Sequence, residues 1–293
     1  MTPDSVAGTG TNPGAVIDAH VHLWDLAVHP QPWTEPFPAL RRSFLLPDLR
    51  DVLTAGGIDA AIVVQAGDSS GETLDLLALA GIEPALAGVV GWIDFTAGDV
   101  ADQIAALRSA PGGDHLVGLR HQLQVEPDRH WLARNQVRKG LSRLAALGLC
   151  FDIVVSANQL PLVVDAVTAL PDTRFVLDHA GKPPIATGDL AAWRSDLARL
   201  AARPNVAVKL SGLVTEADWE HWRQDQLEPV IRHTLESFGP SRVMAGSDWP
   251  VCLLAADYPT VRSTLAPALA RLSSSERDDV LGDTARRWYQ RPA

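Results

Sequence analysis

The amino-acid sequence predicts a single (β/α)8 barrel, an α/β fold, and three observations point there. The chain has 293 residues, the usual length of one such barrel and long for most other single domains. Short apolar runs rich in Val, Ile and Leu recur from end to end. Between them lie amphipathic stretches with apolar residues three and four apart, the period of helices that cover a sheet.

The first strand is expected at 16–22. A helix over 47–55 opens on a proline, which suits a first helical turn, and stops at Gly56-Gly57 before a second strand at 60–66. A shorter helix at 72–80 leads to a strand at 86–94, and a helix at 99–109 to a strand at 117–124. Helices at 137–147 and 159–170 flank a strand at 149–155. A strand at 174–179 precedes a helix at 190–202, and a strand at 206–211 precedes a helix at 227–238. The last strand is expected at 242–247 and a closing helix at 276–289. Near-continuous apolar strands suit a parallel sheet covered on both faces. An open doubly wound sheet is the alternative, but no glycine fingerprint follows the first strand.

Residues 24–46 break the rhythm. Pro30, Pro32, Pro36 and Pro38 stand there with Trp33, Phe37 and Phe44 and no helical period, which predicts a loop over the barrel mouth or a wrap around its side. Residues 1–14 are small and polar, without the basic start and apolar run of a signal peptide. They read as a disordered tail ahead of a catalytic domain over 15–293.

Hydrophobic residues make up 46% and charged residues 20%, a globular balance. The 35 acidic against 25 basic residues give a formal charge of −10, a field that repels a duplex or an anionic membrane. Nucleic acid and membrane are therefore not expected partners. No run approaches the roughly 20 apolar residues of a membrane span. Two cysteines, Cys150 and Cys252, cannot form a disulfide framework and fit small buried residues in a cytoplasmic protein.

In this fold the chemistry sits at the carboxyl ends of the strands. The first strand ends Asp18-Ala19-His20-Val21-His22, and residues two apart share a face, so His20 and His22 can grip one metal ion. His179 follows an apolar run directly, as a loop-facing ligand would. Asp248 follows the last strand, where a turn-former ahead of Pro250 would also fit. Each residue alone has a structural explanation; together they place four metal-competent groups at strand ends. Such a set implies one divalent ion, zinc being favoured, with Asp248 as ligand and general base to a metal-activated water. Strand four ends Arg120-His121-Gln122, without a lysine to bridge two metals as a carbamate.

The motifs His20-Val21-His22, Asp178-His179-Ala180-Gly181-Lys182-Pro183, Lys209-Leu210-Ser211-Gly212-Leu213 and Gly246-Ser247-Asp248-Trp249-Pro250 resemble the amidohydrolase superfamily. They are similar to its sugar-lactonase branch, amidohydrolase-related family 2. The runs at 121–124, 209–219 and 249–254 most resemble bacterial L-fuconolactonases. The resemblance spans about 17–289. It implies a barrel, catalytic roles for His20, His22, His179 and Asp248, and hydrolysis of a small-molecule sugar lactone. Alternatives are a rhamnono- or muconolactone-type lactonase and a metal-dependent decarboxylase of the same superfamily.

Further candidates are less specific. Arg120, His121 and Gln122 can bind substrate hydroxyls or the nascent carboxylate, or form a buried strand-end network. Lys182 can reach a substrate oxygen or stand on the surface. Gln65 and Lys209 are possible hydrogen-bond partners, and Asp152 reads as a buried carboxylate satisfied within its strand. Trp24 and Trp249 can wall a sugar's C–H face or simply pack the core. Arg41 and Arg42 in the mouth loop could hold a second substrate carboxylate.

Overall fold

The computed structural model describes residues 14–289; the expected tail, apart from Gly14, lies outside them. Eight parallel strands follow one another in sequence order: β1 (Ile17–Val21), β2 (Ala60–Val64), β3 (Leu86–Gly91), β4 (Leu116–His121), β5 (Cys150–Ile153), β6 (Arg174–Leu177), β7 (Val206–Leu210) and β8 (Val243–Ala245). The seam between β8 and β1 closes just past the strand ends. There the Asp248 amide donates to the His20 carbonyl at 2.9 Å and the His22 amide to the Trp249 carbonyl at 2.7 Å. Two candidate ligands and the candidate base are thus stitched together by the barrel's own closure.

Helices α1 (Leu46–Gly56), α2 (Ser70–Ala80), α3 (Val100–Ser109), α4 (Asn135–Ala146), α5 (Leu160–Ala169), α6 (Ala191–Ala201) and α7 (Gln224–Phe238) wrap the barrel. The helix expected from 72 starts earlier, because Ser69 caps it by accepting from the Glu72 amide. Shorter helices α8 (Tyr258–Ser263) and α9 (Ala266–Leu269), unforeseen in the sequence, follow β8. The closing helix is not continuous: α10 (Ser274–Asp278) and α11 (Thr284–Trp288) flank a π-helical segment, Asp279–Asp283. Gly282 in that segment lies so close to Ala15 that a Cβ would sit 2.1 Å from its carbonyl oxygen. Among the described residues no helix is long and apolar enough to cross a membrane.

Strand alternation sorts the core. Along β2, Ala60, Ile62 and Val64 fill the barrel interior while Ala61 and Val63 pack under the helices. Ala285 and Tyr289 plug the interior cluster with Met244 and Cys150. The same alternation carries Asp152 on β5 and Lys209 on β7 inward, one layer above Cys150 and Ala207. Both are fully buried. The Lys209 ammonium meets Asp152 Oδ2 at 2.6 Å, and the Tyr289 hydroxyl donates to the same oxygen at 2.6 Å. Most strands end sooner than expected, because the polar residues after the apolar runs leave the ladder to build the mouth.

Candidate active site

His20, His22, His179 and Asp248 meet at the carboxyl end of the barrel, each nearly or fully buried. His22 Nδ1 faces the Val64 carbonyl at 2.8 Å, so it carries the proton and leaves the Nε2 lone pair free. His20 Nδ1 lies 3.2 Å from both Asp178 Oδ1 and Lys209 Nζ, and in the tautomer that gives its proton to the carboxylate Nε2 is free to bind a cation. The two Nε2 atoms are 3.1 Å apart, and Asp248 Oδ1 lies 3.6 and 3.4 Å from them. Three acceptors facing one another form a stable group around a cation. The edges match the separation of about 3.3 Å that ligands at 2.0–2.1 Å subtend around a tetrahedral ion. The residues therefore fit one divalent metal.

A second trio, His20, Asp178 and His179, is also close enough to share an ion. Asp178 is already neutralised, by Lys209 at 3.0 Å and Arg120 at 3.0 Å, so it is the weaker ligand. Burial would raise its carboxyl, but Lys209, His20 and Arg120 outweigh that and hold it well below the usual carboxylate range. Burial would lower Lys209, yet Asp152 and Asp178 keep its ammonium above the ordinary value. Asp152 is pushed up to about 6 by burial, against the pull of Lys209.

Asp248 divides its labour. Oδ1 faces the two histidines, whereas Oδ2 lies 4.0 Å from His179 Nδ1. Burial opposes its charge, but His179, His22 and His20 more than compensate and hold it below the ordinary carboxylate range. His179 Nδ1 pairs with Ser211 Oγ at 2.9 Å, and burial lowers the ring to about 4 despite Asp248 and Asp178. Burial lowers His20 as well. At neutral pH the site thus offers two uncharged imidazoles beside an ionised carboxylate.

The backbone is bent to reach this arrangement. His179, Ala180, Lys182 and Asp248 have φ of 54°, 49°, 51° and 62°, left-handed values for non-glycine residues and a strain of about 1–3 kcal/mol each. Such clustering is typical of functional sites held by surrounding structure. Gly212, at φ 60°, slots between them: a Cβ would lie 2.7 Å from His179 Nδ1 and 2.9 Å from Asp248 Oδ2.

A cavity of about 760 Å³ opens above His22, His179 and Asp248. Arg120, Gln122 and Lys182 line it. Arg120 is nonetheless occupied, donating to Asp178 Oδ2 and to the Gln65 carbonyl at 2.6 Å. The remaining candidates stand elsewhere than direct contact would require. Gln65 is fully buried and supports Arg120 and Asp68. His121 stacks on Trp131 with centroids 4.2 Å apart and binds Glu126, outside the cavity lining. Trp249 and Trp24 pack the outer core with Phe44, also outside that lining. Large rings at strand ends satisfy burial before they serve a sugar face.

The mouth loop fits both expectations. Its ends are core, with Trp24, Leu40 and Phe44 buried, while Gln31, Trp33 and Phe37 line the cavity. Arg41 binds the Glu35 carbonyl and Arg42 pairs with Asp48, so neither lines the cavity. Sequence reasoning gave no role to Glu72, whose buried carboxylate takes the Ala66 and Gly67 amides and the Gln31 side chain. It also missed Asp68, Glu216 and Trp219, all on the cavity wall. Asp68 had no signal but its position shortly after a strand, whereas Glu216 and Trp219 fall within the run at 209–219 that carries the resemblance.

The family model described as Amidohydrolase matches residues 17–291. The chain is 42% identical over 289 residues to an L-fucono-1,5-lactonase of Burkholderia multivorans, covering 94% of this chain and 96% of that one. A crystal structure of a B. multivorans amidohydrolase with bound zinc superposes with a TM-score of 0.88 at 41% identity, over 95% and 100% of the two chains. The structure of a putative 2-pyrone-4,6-dicarboxylic acid hydrolase from Pseudomonas putida shares the fold, with a TM-score of 0.74 at 23% identity over 94% and 97%.

Proposed function

The chain belongs to the amidohydrolase family, and on that premise we propose that it hydrolyses a sugar lactone, L-fucono-1,5-lactone giving L-fuconate. The observation that carries the chemistry is the convergence of His20, His22 and Asp248 Oδ1 beneath a cavity floored by His179. The 42% identity to an L-fucono-1,5-lactonase supports the substrate.

His20, His22 and Asp248 would hold one divalent ion, zinc being favoured by the zinc-bound relative. When bound, it supplies Lewis acidity to the lactone carbonyl and acidifies water. Asp248 Oδ2 takes the proton of the attacking water as oxygen adds to the carbonyl carbon, and returns it to the ring oxygen as the acyl C–O bond breaks. His179, fixed through Nδ1 by Ser211, keeps Nε2 for the substrate oxygen that gains charge. Gln122 and Lys182 bind ring hydroxyls from the cavity wall. Gln65 positions Arg120 and Asp68, and the Trp249 carbonyl holds the His22 amide.

The test is a pH-indicator screen of purified protein against aldonolactones, since each opening releases one proton. We expect L-fucono-1,5-lactone to be the best substrate of the panel. Absence of turnover on every lactone would overturn the assignment.

A further inference from the structure

The cavity holds more carboxylate than the chemistry at its floor requires. Glu216 follows β7 and Asp68 follows β2, and both line the cavity. In the barrel order β7-β8-β1-β2, these strands flank the two that carry Asp248 and the His20–His22 pair. A ring placed with its carbonyl over the floor therefore has one carboxylate on each side. Lys182 Nζ lies 3.4 Å from Glu216 Oε1 and pairs with it. Asp68 Oδ1 accepts from Gln65 Nε2 at 3.3 Å.

The basic groups near them are engaged: His121 Nδ1 lies 3.8 Å from Asp68 Oδ2, but its Nε2 is held by Glu126 at 2.9 Å. Arg120 is held by Asp178 and Gln65. His29 pairs with Asp75 at 2.7 Å. Lys182, the one lysine lining the cavity among the described residues, is matched by Glu216.

Resting on the lactonase reading, we infer that Glu216 and its partner Lys182 determine specificity, and that with Asp68 they select uncharged polyhydroxy lactones over lactones bearing a second carboxylate. A hydroxyl both donates and accepts. A pair of neighbouring hydroxyls therefore matches an acceptor carboxylate and a donor ammonium 3.4 Å apart. A substrate carboxylate brings no proton to Glu216 and must compete with it for Lys182, while Asp68 meets it with like charge from the other side. Exclusion of that kind is worth roughly tenfold to a hundredfold in binding. Burial, opposed by Lys182, raises the Glu216 carboxyl, the cost of keeping a charge in a half-closed cavity.

The experiment compares kcat/KM for L-fucono-1,5-lactone and for D-glucaro-1,4-lactone, which carries a free carboxylate, in the parent enzyme, Glu216→Gln and Asp68→Asn. Glu216→Gln keeps the shape and removes the charge. We expect its kcat/KM on the neutral lactone to fall by about tenfold, mainly through KM, as one charged hydrogen bond is weakened. On the acidic lactone it should rise by about tenfold as repulsion is lifted. Asp68→Asn should shift the ratio the same way, and it carries the test of the acidic walls if the first variant does not fold. A ratio within about threefold of the parent's in a folded variant would overturn the inference. If the parent opens neither lactone, the lactonase reading falls instead; if it opens the neutral one and the ratio does not move, only this inference falls.

Discussion

Replacing Gly212 by alanine should disable the site while the barrel still folds. The new Cβ would lie 2.7 Å from His179 Nδ1 and 2.9 Å from Asp248 Oδ2, where ordinary contacts begin at 3.4 Å. Both side chains must withdraw by roughly half an ångström or more, in a close-packed region with little room to give. An alanine at φ 60° adds backbone strain of about 1 kcal/mol. With the steric term, the loss is about 2 kcal/mol, or a fall in Tm of roughly 3 °C for a chain of this size. Moving the proton acceptor and its neighbour by that distance should cost roughly tenfold to a hundredfold in kcat. The assay is proton release on L-fucono-1,5-lactone, with thermal melting to confirm the fold. A kcat within threefold of the parent, alongside the expected drop in Tm, would refute the claim that turnover depends on this spacing.

Asp248→Asn should lower kcat by about a hundredfold or more with little change in Tm, and near-normal turnover would move the base elsewhere, His179 being the next candidate. Protein prepared without chelator should carry close to one divalent ion per chain, and a double His20→Ala, His22→Ala variant should lose it; two ions per chain, or full retention by the variant, would contradict the site. His179 titrates at about 4 when folded against roughly 6.5 in an unfolded chain. Between those values the unfolded chain binds more protons, so stability of the metal-free protein should fall as pH drops through that window. Asp152, raised to about 6, acts in the opposite sense over part of the window, so the informative quantity is a difference. His179→Asn should flatten the acid side of the Tm profile, and an unchanged slope would show that His179 does not contribute.

The residues that sequence reading found share a simple geometry. His20 and His22 were legible because residues two apart on a strand share a face, and they remain together despite the register irregularity in β1. His179 and Asp248 were legible because each follows an apolar strand directly. What escaped was pairing across the barrel. Asp178 directly follows β6, Lys209 and Arg120 lie on β7 and β4, and the three meet only because the sheet closes. Glu72 and Glu216 belong to residue types that are ordinary on surfaces, and only topology turns them toward the mouth. The tryptophans erred in the other direction, since chemistry that suits a sugar face suits a core equally well. The break in the closing helix contains Gly282, which packs against Ala15 from the opposite end of the chain, a contact no local sequence pattern announces.

Attack of water on a lactone carbonyl is the central step, and isotope labelling tests it directly. The enzyme is incubated with L-fucono-1,5-lactone in 18O-enriched water, at a rate well above spontaneous opening, and the product acid is analysed by mass spectrometry. Attack at the carbonyl predicts one heavy oxygen per turnover, in the carboxylate, with the liberated hydroxyl unlabelled and one proton released. Opening no faster than buffer, label in the hydroxyl, or release of carbon dioxide in place of an intact acid would contradict it.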